Sequence, residues 1–67
     1  MIHYEVPAMT CGGCARAITR AIQSIDPEAR VETSIAAKRV SVASNADDSK
    51  LTTALTDAGY PPVRLAA

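Results

Sequence analysis

The sequence predicts an α+β domain of order β-α-β-β-α-β, a four-stranded antiparallel sheet with two helices on one face. Three observations predict it. Apolar residues alternate with period two in short segments near the start and in the middle of the chain. Two other segments carry apolar residues at helical spacing. Prolines, glycines and one polar run fall at the boundaries between them.

Ile2, Tyr4 and Val6 alternate with His3 and Glu5, a strand with one buried face that ends at Pro7. His3 is out of phase with the apolar set, so an exposed position on the opposite face is expected, at the far end from the loop that follows. From Gly13 to Ile25 the period changes: Cys14, Ile18, Ile22 and Ile25, flanked by Ala17 and Ala21, form one helical stripe. Arg16, Arg20 and Gln23 fall off the stripe and face water. Asp26-Pro27 stops this helix, because the residue before a proline is pushed out of the α region. Arg30–Ile35 alternates around Val31, Thr33 and Ile35. Ala36-Ala37-Lys38 is a turn without Asn-Gly or Asp-Gly chemistry. Val40 and Val42 continue the alternation in a third strand.

Ser44 to Asp48 is a polar break rich in N-cap residues. Leu51, Ala54, Leu55 and Ala58 mark the second helix, which Gly59 ends at the position following the C-cap. Pro61-Pro62-Val63-Arg64-Leu65 is short and extended, and its proline pair suits an edge strand. The simplest closure of this order is the ferredoxin-like split βαβ arrangement.

Composition narrows the function classes. Sixty-seven residues make one domain over 1–67. Its 48% hydrophobic content excludes the disordered class. Seven basic and seven acidic residues cancel, so no global field recruits nucleic acid or a membrane surface. No apolar run approaches the ~20 residues that span a bilayer. The start, Met1-Ile2-His3-Tyr4-Glu5, has neither the basic nor the apolar region of a signal peptide. A reducing cytoplasmic location is expected, where a Cys-x-x-Cys pair is metal-binding or redox-active more often than structural.

The chemistry concentrates in Met9-Thr10-Cys11-Gly12-Gly13-Cys14, which holds the only two cysteines. Cys14 is expected in the first helical turn with Cys11 just before it, where unsatisfied N–H groups and the helix dipole favour thiolate. Gly12 and Gly13 permit positive φ and close approach, so both sulfurs can surround one ion. Thiolate selects soft ions such as Cu(I), and two ligands leave the ion open to capture by another protein's thiols. The competing readings fare worse. A disulfide here closes too short a loop to add much stability. Structural zinc normally needs four N/S ligands, and the chain has two Cys and one His. A thioredoxin-like oxidoreductase shares the Cys-x-x-Cys motif, but Cys-Gly-Gly-Cys lacks the proline and aromatic flank of that class. No acid–base pair or activated nucleophile besides the thiols argues for an enzyme. Thr10 is expected to N-cap the first helix. The i, i+4 pair Arg16 and Arg20 lies on its solvent face beside the site, a docking patch for an acidic acceptor. Arg30, Lys38 and Arg39 are expected towards other edges.

A βαββαβ chain of this length, with Met9-Thr10-Cys11-x-x-Cys14 after the first strand and Gly59-Tyr60 after the second helix, resembles the heavy-metal-associated domain family. That family includes small bacterial copper chaperones and the N-terminal domains of heavy-metal P-type ATPases. The resemblance covers essentially the whole chain. It implies that Cys11 and Cys14 hold Cu(I) in near-linear dithiolate geometry. It also implies delivery by ligand exchange to an ATPase metal-binding domain or a copper-responsive regulator, and a metal-bridged homodimer as a further form. Met9 is implied to pack under the loop, and Tyr60 to shield the sulfurs and tune their access to solvent. A neutral Thr10, where relatives handling zinc or cadmium often carry an acid, leans the site towards a monovalent ion. Hg(II) also favours two thiolates, so a mercury carrier is the alternative of the same class. Two departures stand out. Ala8 replaces the glycine of many members, and Pro61-Pro62 stiffens the approach to the last strand.

Overall fold

A computed structural model describes residues 1–65. The elements are β1 (Ile2–Glu5), α1 (Gly12–Ile25), β2 (Arg30–Ser34), β3 (Arg39–Ala43), α2 (Asp48–Asp57) and β4 (Val63–Arg64). The sheet order is β2-β3-β1-β4, and every pairing is antiparallel. This is the expected ferredoxin-like arrangement. Its two central strands, β3 and β1, carry the buried row: Tyr4, Val6, Val40 and Val42 are fully or almost fully buried. Ile18 and Ile22 of α1, Leu51 and Leu55 of α2, and Met9 close the core from the other side, all with no exposed surface. Each such side chain contributes about 1.5–3 kcal/mol by leaving water.

Both helices end as their sequences direct. Asp26 caps α1 in extended conformation ahead of Pro27. At the end of α2 the N–H of Tyr60 donates to the Leu55 carbonyl at 2.8 Å and that of Gly59 to Thr56 at 3.0 Å. With Gly59 at φ +92°, this is the Schellman pattern, which needs a residue free to be left-handed.

Four expectations are corrected. Cys11, not Thr10, is the N-cap of α1, and its side chain makes no capping bond. The helix starts one residue earlier, so Gly12 and Gly13 are its first residues, and neither has positive φ. The apolar alternation of β2 does not translate into burial. Thr33 is exposed and Ile35, 38% exposed, lies in the turn. β2 is an edge strand, and Val31 alone of its residues packs against the core. His3 is half-buried, with Nδ1 2.7 Å from the Ser41 hydroxyl of the neighbouring strand, where full exposure was expected.

Polar joints hold the pole opposite the cysteines. The Asp26 carboxylate accepts the Ser44 hydroxyl at 2.6 Å and the Glu28 and Asn45 amides at 3.1 and 3.3 Å. These bonds, that of Ser44 first, hold its carboxyl below the usual range. The buried Tyr4 hydroxyl donates to Asp48, which also meets Arg64 at 3.5 Å. Burial, and then the Asp48 bond, pushes Tyr4 up to about 12.

Ile22 lies at the centre of the α1 stripe with no exposed surface. Ile22→Ala is expected to destabilise the domain by ~2–5 kcal/mol. Thermal or urea unfolding of the metal-free protein measures this, and a shift within error would mean that the stripe is misassigned.

Candidate metal centre

Two connections and the first turn of α1 meet at one pole. The β1–α1 loop carries Met9, Thr10 and Cys11, the first turn of α1 carries Cys14, and the α2–β4 connection carries Tyr60. Met9 is fully buried, in keeping with a packing role. Its amide donates to the Val6 carbonyl at 3.0 Å, closing a turn over Pro7 and Ala8. The chain then rises out of the core, so that Cys11 is exposed while Cys14, within the helix, is half-buried.

Both cysteines are free, with their sulfurs 3.3 Å apart. Metal–sulfur bonds of the ~2.3 Å found at zinc would make one ion between sulfurs at 3.3 Å subtend roughly a right angle. A near-linear dithiolate therefore needs the sulfurs to move apart. Cys11 has the freedom to do so, because it is exposed and outside the helical residues. Among the described residues no cluster of three or more His, Cys, Asp or Glu gathers, so no closed four-ligand cage competes with this pair.

The Cys14 thiol is lowered from an ordinary 9.0 to about 6. The Tyr60 hydroxyl is the largest cause, followed by the Thr10 backbone amide, with smaller help from Cys11. A thiolate accepting several hydrogen bonds is favoured over the thiol. The phenol responds in the opposite sense: Tyr60 is raised, first by its bond to Cys14, then by desolvation and by the charges of the two cysteines. Tyr60 and Cys14 thus shift each other's acidity in opposite directions. Thr10 acts through its backbone, not as the capping side chain expected from its identity.

The glycines play a different part from the expected one. A Cβ on Gly12 would meet nothing within 4 Å, and one on Gly13 would meet the Cys11 sulfur at 3.7 Å, an ordinary contact. Both are helical, so conformational freedom is not their role. A side chain at Gly13 would stand against the Cys11 sulfur, whereas Gly12 faces open space. Gly13, Arg16, Ala17 and Arg20 line a shallow groove of about 370 Å³ running along α1 from the motif. Both arginines are exposed, as expected. Lys38 departs from expectation, since its ammonium lies 3.3 Å from the Pro7 carbonyl, at the loop and not at a remote edge. The one sequence signal for it was a hairpin turn with no glycine or asparagine.

The chain matches the family model described as heavy-metal-associated domain over residues 3–61. No curated protein sequence matches it. Among solved structures it is similar to a gold-binding protein at 32% identity, covering 97% of this chain and 100% of that one, with a TM-score of 0.94. A histidine-to-tyrosine variant of the copper chaperone Atx1 from Synechocystis PCC6803, in a trimeric form, is 35% identical over 94% of this chain and 100% of that one, with a TM-score of 0.91. Oxidized MerP from Ralstonia metallidurans CH34 is 28% identical over 97% and 94%, with a TM-score of 0.82.

Removing the phenol tests the electrostatics. Tyr60→Phe is expected to move the Cys14 midpoint up from about 6 towards 9, read as ultraviolet thiolate absorbance or alkylation rate against pH. An acid depressed in the folded state adds stability above its unfolded pKa and loses it as pH falls towards the folded one. Metal-free wild type should therefore lose this contribution between 9 and about 6, and the variant less of it. An unmoved midpoint would assign the acidity to the backbone amides and Cys11.

Proposed function

Because this chain belongs to the heavy-metal-associated domain family, we propose that it is a Cu(I) carrier that binds its ion through Cys11 and Cys14 and passes it on by ligand exchange. The observation that carries this reading is the pair of free sulfurs 3.3 Å apart at an exposed helix start, and the lowering of the Cys14 thiol to about 6 supports it. Soft Cu(I) prefers such ligands. A low thiol pKa reduces the competition from protons that weakens thiolate sites as pH falls.

Ligand exchange follows from the unequal burial of the two sulfurs. An acceptor thiolate attacks the ion from the open side, a three-sulfur intermediate forms, and the exposed Cys11 leaves before Cys14. The ion leaves chemically unchanged, so on this reading the protein is a carrier and not an enzyme. The acceptor we propose is the metal-binding domain of a soft-metal ATPase or a copper-responsive regulator, with cytoplasmic action. Arg16 and Arg20 beside the motif would orient an acidic acceptor. A metal-bridged homodimer would use the same open side. A second reading is an Hg(II) carrier at the same two sulfurs, since that soft ion also favours two thiolates.

Cys11→Ser and Cys14→Ser are each expected to abolish tight Cu(I) binding in competition with a chelator, while circular dichroism stays that of the wild type. Full affinity in either variant would rule out the two-sulfur site, and preference for Hg(II) over Cu(I) in the same competition would favour the second reading. Converting Arg16 and Arg20 to Glu should slow transfer to an acceptor domain at low salt and leave Cu(I) affinity nearly unchanged. Equal transfer rates for both proteins at low ionic strength would make these arginines an ordinary solvated helix face.

A further inference from the structure

We infer that Lys38 is a positioning residue for the metal loop: from the tip of the β2–β3 hairpin it holds the turn that delivers Met9 and Cys11. The inference rests on the reading of Cys11 as a ligand and extends it to what fixes where that ligand stands.

Lys38 makes three hydrogen bonds, two of them to the chain just ahead of the motif. Its carbonyl accepts the Val6 N–H at 2.7 Å. Its ammonium donates to the Pro7 carbonyl at 3.3 Å. Its own N–H donates to the Ile35 carbonyl at 3.2 Å and closes the hairpin turn. Lys38 therefore grips both sides of the Val6–Pro7 segment. Proline has no N–H, so its carbonyl is the one backbone group through which Pro7 can be hydrogen-bonded. The Val6 carbonyl in turn accepts the Met9 N–H at 3.0 Å. One residue on the hairpin thus fixes the start of a four-residue turn whose other end is anchored by the buried Met9. Cys11 follows two residues later.

The conformation of Lys38 points the same way. Its φ is +53°, the left-handed region that glycine or asparagine enters at least cost. The turn contains neither residue type. The side chain that makes this position costly is the one that reaches the metal loop. A strained residue whose side chain has a defined partner beside a site is the situation in which strain points to function.

The test compares Lys38→Gly, Lys38→Met and Lys38→Arg. Glycine removes the ammonium and relieves the left-handed cost, so the fold should be no less stable. In the metal-free protein, hydrogen exchange of the Met9 amide should accelerate roughly two- to tenfold, the worth of one exposed hydrogen bond. Cu(I) affinity by chelator competition should fall by a comparable factor. Lys38→Met keeps the stem and the backbone strain, so it should show the same losses even if the glycine variant alters the hairpin. Lys38→Arg keeps a cationic donor and should restore both readouts. Wild-type Met9 exchange in both the Gly and Met variants would overturn the proposal and leave Lys38 a turn residue. The exchange readout uses no metal, so it separates a lost brace from a lost positive charge. It also stands apart from the carrier reading, which fails if wild type does not bind Cu(I) through both cysteines.

Discussion

Met9 is the point on which the rest of this structure depends. A site for a transferable ion must be exposed, yet its ligands must stay within one ion's reach of each other. An exposed loop alone cannot satisfy both demands, because a free chain segment samples many conformations. The chain resolves the conflict by sending one loop side chain fully into the core, two residues before the exposed Cys11. The sheet and both helices supply the cavity that receives it. The same core holds Cys14 from the other direction, through the buried Ile18 one turn further along α1. The two sulfurs are therefore referred to a common rigid body although only one of them belongs to a helix.

The polar groups divide the molecule into two poles. At one pole, hydrogen bonds close on themselves: Asp26 with Ser44, Glu28 and Asn45, and Tyr4 with Asp48. These knit α1, α2 and the sheet together and leave few unfulfilled donors. At the other pole the Tyr60 phenol and the Thr10 backbone make the Cys14 thiol more acidic. Exchange of an ion at that pole need not disturb the contacts that hold the fold, since the two sets share no residue.

How far the sequence reveals the structure depends on the range of the interaction concerned. Periodicity reads local order, and it is sufficient for the element sequence, the α1 stripe through Ile18 and Ile22, and the helix end at Gly59. The Cys-x-x-Cys pair is visible because both residues lie within one helical turn. Alternation cannot report which strand occupies the edge of a sheet, so Thr33 and Ile35 read as buried although β2 lies at the margin. Residue identity cannot report which backbone amide faces a sulfur, so Thr10 reads as a cap. Lys38 is hidden for the same reason, since its partner Pro7 is 31 positions away and contributes only a carbonyl. Tyr60 is expected at the site from the resemblance alone, because no spacing rule connects it with Cys14.

The winding of α2's last turn sets more than a helix boundary. Tyr60 stands beside Cys14 because Gly59 turns left-handed and the Tyr60 amide returns to Leu55. The acidity of the Cys14 thiol is thereby tied to how the chain leaves α2, and not only to the helix that carries the sulfur.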